Sequence, residues 1–522
     1  MTVFKALRNT LNRSHENINS AALFLGVASL LSMLASLLRE KLIVSALGRS
    51  LELDVYYASF KLPDLLYSFA IAFVSAFVII PLLSKKKDEK EAELFIDSLL
   101  RAFLISAFFL SLFAYLLTPL YLEHFFPNLY NSAYKDSFVF LSKLLLLQFI
   151  FLSASQILLS FLQFKQKFVA YALAPILYNL GIIFGAVFLL PKFGLEGLGY
   201  GVVLGAALHL LLSATSVKLH IYLFSPIDWR GVWEMLQRSF PRAASLFMQQ
   251  LLMLIIFAYL SRVSEGAIST FQIALTLQAA PYSIIALSYS VAAFPSLAKL
   301  YSSGQLDEFR AKVERALAHV FVFSLFAILP LFLVKEDLIN LIFGGKSFGW
   351  EDVLSVSQVF AFLLLALVPQ SFVILITRIF YAAHDTLRPL VVHFASALGF
   401  LALLKLFDFL APHSFDGLTL VSLAYLLNTI ATSALLFYFL YLRHKVTLFK
   451  LSNFELKLLA ASFSAFALSL CVKSCFLNAG PATAFESLLR AFEIMLVYGA
   501  AFLLSVFVFK LEFKKLLRIL KP

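Results

Sequence analysis

Ala21–Leu38 reads AALFLGVASLLSMLASLL, and Arg39-Glu40-Lys41 follows it directly. Eighteen residues without a charge make about 27 Å of helix, close to the roughly 30 Å of a bilayer's hydrocarbon core. A polar, basic stretch precedes the run, and a second apolar segment, Leu42–Leu47, follows the charges. The run is too long for the apolar region of a signal peptide and no clear cleavage site follows it, so it reads as a retained span. Continuous apolarity selects helices over a barrel, whose strands are short and alternate.

The same pattern recurs along the chain. Stretches at 20–47, 54–83, 93–118, 137–163, 168–190, 195–216, 241–261, 269–297, 313–334, 354–381, 389–408, 418–441, 458–474 and 488–509 predict fourteen spans. The composition agrees: 61% of the 522 residues are hydrophobic and 14% charged, against roughly 45–50% and 25% in soluble domains. Disorder, a fibrous chain and a soluble enzyme are excluded. Two cysteines leave no disulfide framework or Cys-rich metal site. The histidines lack metal-ligand spacing, and no phosphate-binding glycine loop or nucleophile–base motif is present, so neither cofactor nor metal is expected. The formal charge of +12 is assigned to positive-inside bias rather than to nucleic acid.

Alternate connections carry 27 and 6 Lys/Arg residues. That asymmetry places both termini in the cytoplasm and supports an even number of spans. Pro81-Leu82-Leu83-Ser84-Lys85 ends span two and Pro295-Ser296-Leu297-Ala298-Lys299 ends span eight, 214 residues later. The echo predicts an all-α polytopic fold of two pseudo-repeated six-helix bundles around a central cavity. The lobes are 1–216 and 241–441, joined by an interfacial amphipathic helix at 217–240 with Trp229, Arg230, Trp233 and Arg238. Residues 442–522 supply spans thirteen and fourteen and a basic tail.

Charges at membrane depth mark the candidate site, because each costs about 2.5–3.5 kcal/mol or more at the bilayer centre unless it faces a cavity or a partner. Arg39 and Glu40 are the first such pair; the other reading makes Arg39-Glu40-Lys41 the outer membrane surface. Asp54 and Lys61, seven apart, share one face of a continuous helix. Pro63 bends span two, and Asp64 follows it. The cytoplasmic end of span ten carries Thr377, Arg378, Tyr381, His384, Asp385, Thr386 and Arg388, which reads as a capped helix–turn–helix connection or a gate. Arg101, Lys143, Lys405, Lys473 and Arg490 are placed to snorkel.

On these residues the chain resembles the MurJ/MviN family, lipid II flippases of the MOP exporter superfamily. The resemblance rests on Ser32 to Glu40, Leu47-Gly48, Asp54-Val55-Tyr56, and Phe60-Lys61-Leu62-Pro63-Asp64-Leu65-Leu66. It continues at Pro295-Ser296-Leu297-Ala298, and at Phe380-Tyr381-Ala382 with Asp385-Thr386 and Pro389. Three family arginines are absent: Met33, Ser68 in the Tyr67-Ser68 pair, and Thr276 stand in their places. The family's Gly-Ala-Phe-Ser stretch is also lost around Val74 to Phe77.

The resemblance implies a non-enzymatic flippase for a polyprenyl-pyrophosphate-linked saccharide, foremost lipid II, moved outward by alternating access for peptidoglycan synthesis. It transfers Arg39, Lys61 and Asp54 as substrate-site residues. In this reading Arg39 and Lys61 hold the pyrophosphate, and Asp54 and Glu40 orient them. Its partners are the lipid-linked precursor and membrane lipids, with no coupling ion identified. Other readings are a polysaccharide-unit flippase or drug/cation antiporter of the same superfamily, a membrane transferase using His384 and Asp385, and an inactive envelope scaffold.

Overall fold

A computed structural model describes residues 18–74, 76–84, 86, 88–217, 226–410, 416–447, 451–476 and 480–509. The N-terminal basic residues, the first part of the expected linker and the basic tail lie outside them. All regular elements among the described residues are helices; one isolated bridge pairs Gly345 with Phe348. Twelve of these helices are long and apolar enough to cross a membrane. The first two expected spans, outside that twelve, are helical too.

The first unit, Met1–Ile268, begins with α1 (Ile18–Leu47), which ends at Gly48, where φ is +64°. Glycine adopts this left-handed conformation without a Cβ clash. Span two is three pieces: α2 (Leu51–Ser59), α3 (Lys61–Val74) and α4 (Ala76–Leu83). The Ser50 side chain caps α2 by accepting from the Leu53 N–H at 3.2 Å. The break falls at Phe60, three residues before Pro63. Proline has no N–H for the carbonyl four residues back, so the helix restarts with Pro63 in its first turn, where that donor is not needed.

The unit continues through α5 (Glu89–Phe125), α6 (Pro127–Tyr130), α7 (Lys135–Leu144), α8 (Leu146–Phe164), α9 (Phe168–Phe184), α10 (Leu190–Phe193), α11 (Leu195–Ser216) and α12 (Trp229–Leu260). A π-helical turn, Gly185–Leu189, joins α9 to α10. The 37 residues of α5 make about 55 Å of helix, so its ends must reach beyond the hydrocarbon. From Trp229 the expected interfacial helix is continuous with span seven, because the N-cap Asp228 starts one helix that has no break before Leu260. Trp229 and Trp233 remain exposed. That helix packs on α3, so the seventh span sits in the first unit rather than opening the second lobe at 241.

The second unit is Ser269–Pro522. The helix α13 (Ala267–Tyr282) runs into it and, through a π-helical turn at Ser283–Leu287, into α14 (Ser288–Ser302). Then come α15 (Leu306–Leu333), α16 (Lys335–Phe343), α17 (Trp350–Ala382), α18 (Leu387–Leu410), α19 (Gly417–His444), α20 (Asn453–Phe476) and α21 (Ala484–Val508). Asp416 caps α19, and Thr483 with Glu486 forms a reciprocal capping box on α21, each satisfying N–H groups left over by the helix start.

The internal echo is carried by packing order. In the first unit α8 packs on α3, α4, α5 and α11, and α11 packs on α9. In the second, α17 packs on α14, α15 and α19, and α19 packs on α18. Phenylalanines fill both cores, among them Phe95 and Phe161 in one and Phe309 and Phe380 in the other. The helices α20 and α21 stand outside this scheme: α20 lies along α15, and α21 packs on α20 and α16.

Candidate substrate site

The site begins with a close approach of two helices. A Cβ on Gly181 would lie 2.3 Å from the Gly205 Cα, and one on Gly201 would lie 2.6 Å from the Gly185 Cα. Only hydrogen fits between the backbones of α9 and α11, as at small-residue contacts between membrane helices. The α9 helix so anchored also packs on α1 and brings Asn179 to Arg39.

Arg39 Nη1 donates to Asn179 Oδ1 at 2.9 Å, and Asn179 Nδ2 donates to the Pro175 carbonyl at 3.0 Å. Arg39 Nη2 is 3.4 Å from Glu40 Oε2. Glu40 Oε1 accepts from the Tyr57 hydroxyl at 2.5 Å. Glu40 is 2% exposed, while the arginine side chain keeps 21%. The carboxylate is therefore enclosed and the guanidinium is partly open. Leu42–Leu47 continues the same helix, with Ile43 and Val44 fully buried.

Lys61 is the first residue of α3, and its ammonium lies 3.5 Å from the centroid of the Phe257 ring on α12. The expected continuous helix through Asp54 and Lys61 is corrected: the turn at Phe60 puts them in two helices, α2 and α3. Buried Asp54 accepts instead from the Gly266 N–H at 2.8 Å. Gly266 has φ +77°, and a Cβ there would meet the Arg49 side chain at 2.4 Å. Asp64 lies in the first turn of α3, where the helix dipole favours a carboxylate.

Arg378 is half-buried on α17. Asp385 and Arg388 form an ion pair three residues apart, and the Arg388 N–H donates to Asp385 Oδ1 at 3.3 Å. His384 turns the chain with φ +59°. These contacts cap the start of α18. The structure thus joins Arg39 to Glu40 in the first unit and Asp385 to Arg388 in the second. Among the described residues no group of three or more His, Cys, Asp or Glu side chains is arranged to hold a metal ion.

Asn179 and Phe257 were not singled out in the sequence. An amide inside the apolar run 168–190 is a signal in itself, but no local spacing rule connects it to a residue 140 positions earlier. Arg490 does not merely snorkel: it donates twice to the Gly480 carbonyl at 3.2 Å and stands 3.9 Å from Asp337.

Fold and site together define a multi-pass membrane transporter rather than an enzyme. The family model described as lipid II flippase MurJ matches residues 43–489, and the chain belongs to that family of bacterial membrane proteins. Its relatives include the probable lipid II flippase MurJ of Buchnera aphidicola subsp. Baizongia pistaciae, 24% identical over 95% of this chain and 98% of that protein. The corresponding protein of Buchnera aphidicola subsp. Acyrthosiphon pisum is 26% identical over 72% of this chain and 75% of its own. A solved lipid II flippase MurJ in an inward closed conformation has a TM-score of 0.74 at 22% identity, covering 94% of this chain and 99% of that one. An inward-facing multidrug-resistance MATE transporter of the MOP superfamily has a TM-score of 0.67 at 14% identity, covering 81% and 98%. At these identities the two structures speak for the fold.

Proposed function

We propose that this protein moves lipid II from the cytoplasmic to the outer leaflet of the bacterial inner membrane by alternating access, supplying peptidoglycan synthesis. The carrying observation is Arg39: its guanidinium is held at one nitrogen by Asn179 yet keeps a fifth of its side chain open, in a chain of the MurJ family. A fixed, partly open guanidinium suits phosphate oxygens, which it can meet with charge-assisted hydrogen bonds. Lys61 is the second cation of the site. Glu40, tied to Tyr57, is the counter-charge that limits the cost of the empty site. Asp54 acts by anchoring the Gly266 turn. Pro63 and Asp64 set the bend and first turn of α3, and Arg378, Asp385 and Arg388 form a cytoplasmic gate. The helices α20 and α21 build the groove for the polyprenyl tail, and both termini are cytoplasmic.

Replacement of a conditionally depleted lipid II flippase by this protein tests the proposal, with periplasmic access of labelled lipid II as readout. Restored growth with restored access is expected. A stably inserted protein that leaves lipid II inaccessible would overturn the reading and favour an inactive scaffold or another cargo.

A further inference from the structure

Three side chains from three helices of the second unit meet where α20 begins. The Tyr289 hydroxyl of α14 is 2.9 Å from His319 Nδ1 of α15, and His319 Nε2 is 3.6 Å from Glu455 Oε1 of α20. Glu455 Oε2 accepts from the Ser452 N–H at 2.6 Å, and the Glu455 N–H donates to the Ser452 hydroxyl at 3.3 Å. One carboxylate oxygen is thus committed to the helix start and the other faces the imidazole. Its side chain is 8% exposed and that of His319 is 25% exposed, so the carboxylate is enclosed and the ring only partly so.

The geometry dictates the proton positions. An ionised carboxylate only accepts, so its charge favours a hydrogen on the facing Nε2, although 3.6 Å is too long for a direct hydrogen bond. In the neutral ring Nδ1 then carries the lone pair and takes the Tyr289 O–H. A proton arriving at Nδ1 turns that nitrogen into a donor, and the phenol must accept or let go. The same event makes the contact with Glu455 an ion pair. One proton therefore reverses the α14–α15 contact and tightens α15 against α20.

We infer that Tyr289, His319 and Glu455 form a proton-binding site that sets how the α20–α21 pair is held against the α14–α15 hairpin. The ligand is a proton, and histidine is the side chain whose ordinary range suits that exchange near neutral pH. On its own helix, Arg315 lies one turn away. Among the described residues the charges acting on the ring are Glu455 and Arg315; α17 presents Phe372, Leu375 and Ile376 to this core, α21 meets α15 through Phe502 against Phe326, and the Ser283–Leu287 turn has no titratable side chain. His319 stands 13 residues into α15, and Tyr289 13 residues before the end of α14. Each is about 20 Å of helix from the hairpin tip, so a small change at the site is levered into a larger one at residues 303–305.

The test needs no substrate and is independent of the flippase reading. Spin labels on cysteines replacing Ser303 and Lys457, both exposed, with Cys471 and Cys475 changed to serine, report the hairpin–α20 distance in lipid nanodiscs. Between about pH 5 and 8 the parent is expected to shift between two distance populations. His319→Gln should hold one population throughout. Tyr289→Phe, which keeps the ring and the fold, should keep the acid population and lose the alkaline one. A parent distribution independent of pH would overturn the inference, as would an unchanged shift in His319→Gln or in Tyr289→Phe.

Discussion

Arg39 and Asn179 are joined by a 2.9 Å hydrogen bond across 140 residues of chain. The bond fixes the direction of a guanidinium that lies beyond an eighteen-residue uncharged run. Because Asn179 spends its amide nitrogen on the Pro175 carbonyl, its oxygen is presented to Arg39 without rotational choice. Asn179→Leu is therefore expected to raise the lipid concentration for half-maximal flipping several-fold with little change in maximal rate, and Asn179→Gln to recover part of it. Arg39→Ala should abolish flipping while the protein stays folded and inserted. Labelled-lipid flipping in proteoliposomes, beside size-exclusion profiles, measures both.

Lys61 over Phe257 makes a cation–π contact, worth about 2 kcal/mol when desolvated. Lys61→Ala is expected to abolish transport without loss of membrane insertion. Phe257→Leu should leave the charge and loosen its placement, giving a partial loss. Full activity in Lys61→Ala would remove this residue from the site.

The contact between α9 and α11 has no room for a methyl group. Gly201→Ala should destabilise by about 1–3 kcal/mol, as overpacking does, and carry Asn179 away from Arg39. Gly499 in α21 is the control, because a Cβ there would meet nothing within 4 Å. Gly499→Ala should be neutral or stabilising by up to about 1 kcal/mol. Thermal unfolding in detergent separates the two.

At the α16 end of the C-terminal pair, Lys473 bonds Glu336 at 2.9 Å and the Leu333 carbonyl at 2.5 Å, while Arg490 faces Asp337. Burial pushes the Asp337 carboxyl up, and Lys473 and Arg490 oppose that shift. Burial alone would raise Glu336 as well, but Lys335 and Lys473 outweigh it and hold it below the usual carboxylate range. A depressed acid stabilises the fold above its unfolded value and loses that contribution as pH falls through the folded one; a raised acid does the reverse. Arg490→Ala should cost about 1–3 kcal/mol at neutral pH by taking the facing cation from buried Asp337 and the donor from the Gly480 carbonyl. The deficit should shrink in acid as Asp337 takes a proton. Lys473→Met should instead narrow the acid loss contributed by Glu336. Unfolding temperatures from neutral pH down to the carboxylate range check the opposite trends.

The orientation proposed from the charge asymmetry is open to direct labelling. A cysteine replacing Lys90 should resist an impermeant maleimide in intact cells, and one replacing Asn128 should react. Strong labelling at position 90 would reverse the topology.

Amino-acid order alone determined the helical membrane class and the approximate positions of the spans, because an apolar run of about 20 residues has few other stable solutions in water or lipid. It also marked Arg39, Glu40 and Lys61, since ionised side chains at depth are costly wherever they fall. The partners of those charges were decided by tertiary structure. Pro63 announced a bend, but its effect at Phe60, which parts Asp54 from Lys61, depended on where the chain could restart a helix. Asn179 meets Arg39 only because hydrogen atoms alone separate α9 from α11 and α9 packs on α1. Trp229–Leu260 joined the first unit because its face fits α3. Hydrophobic length is a local property and can be read along the chain. The pairing of buried polar groups is a property of helix packing, which brings together residues that no sequence spacing relates.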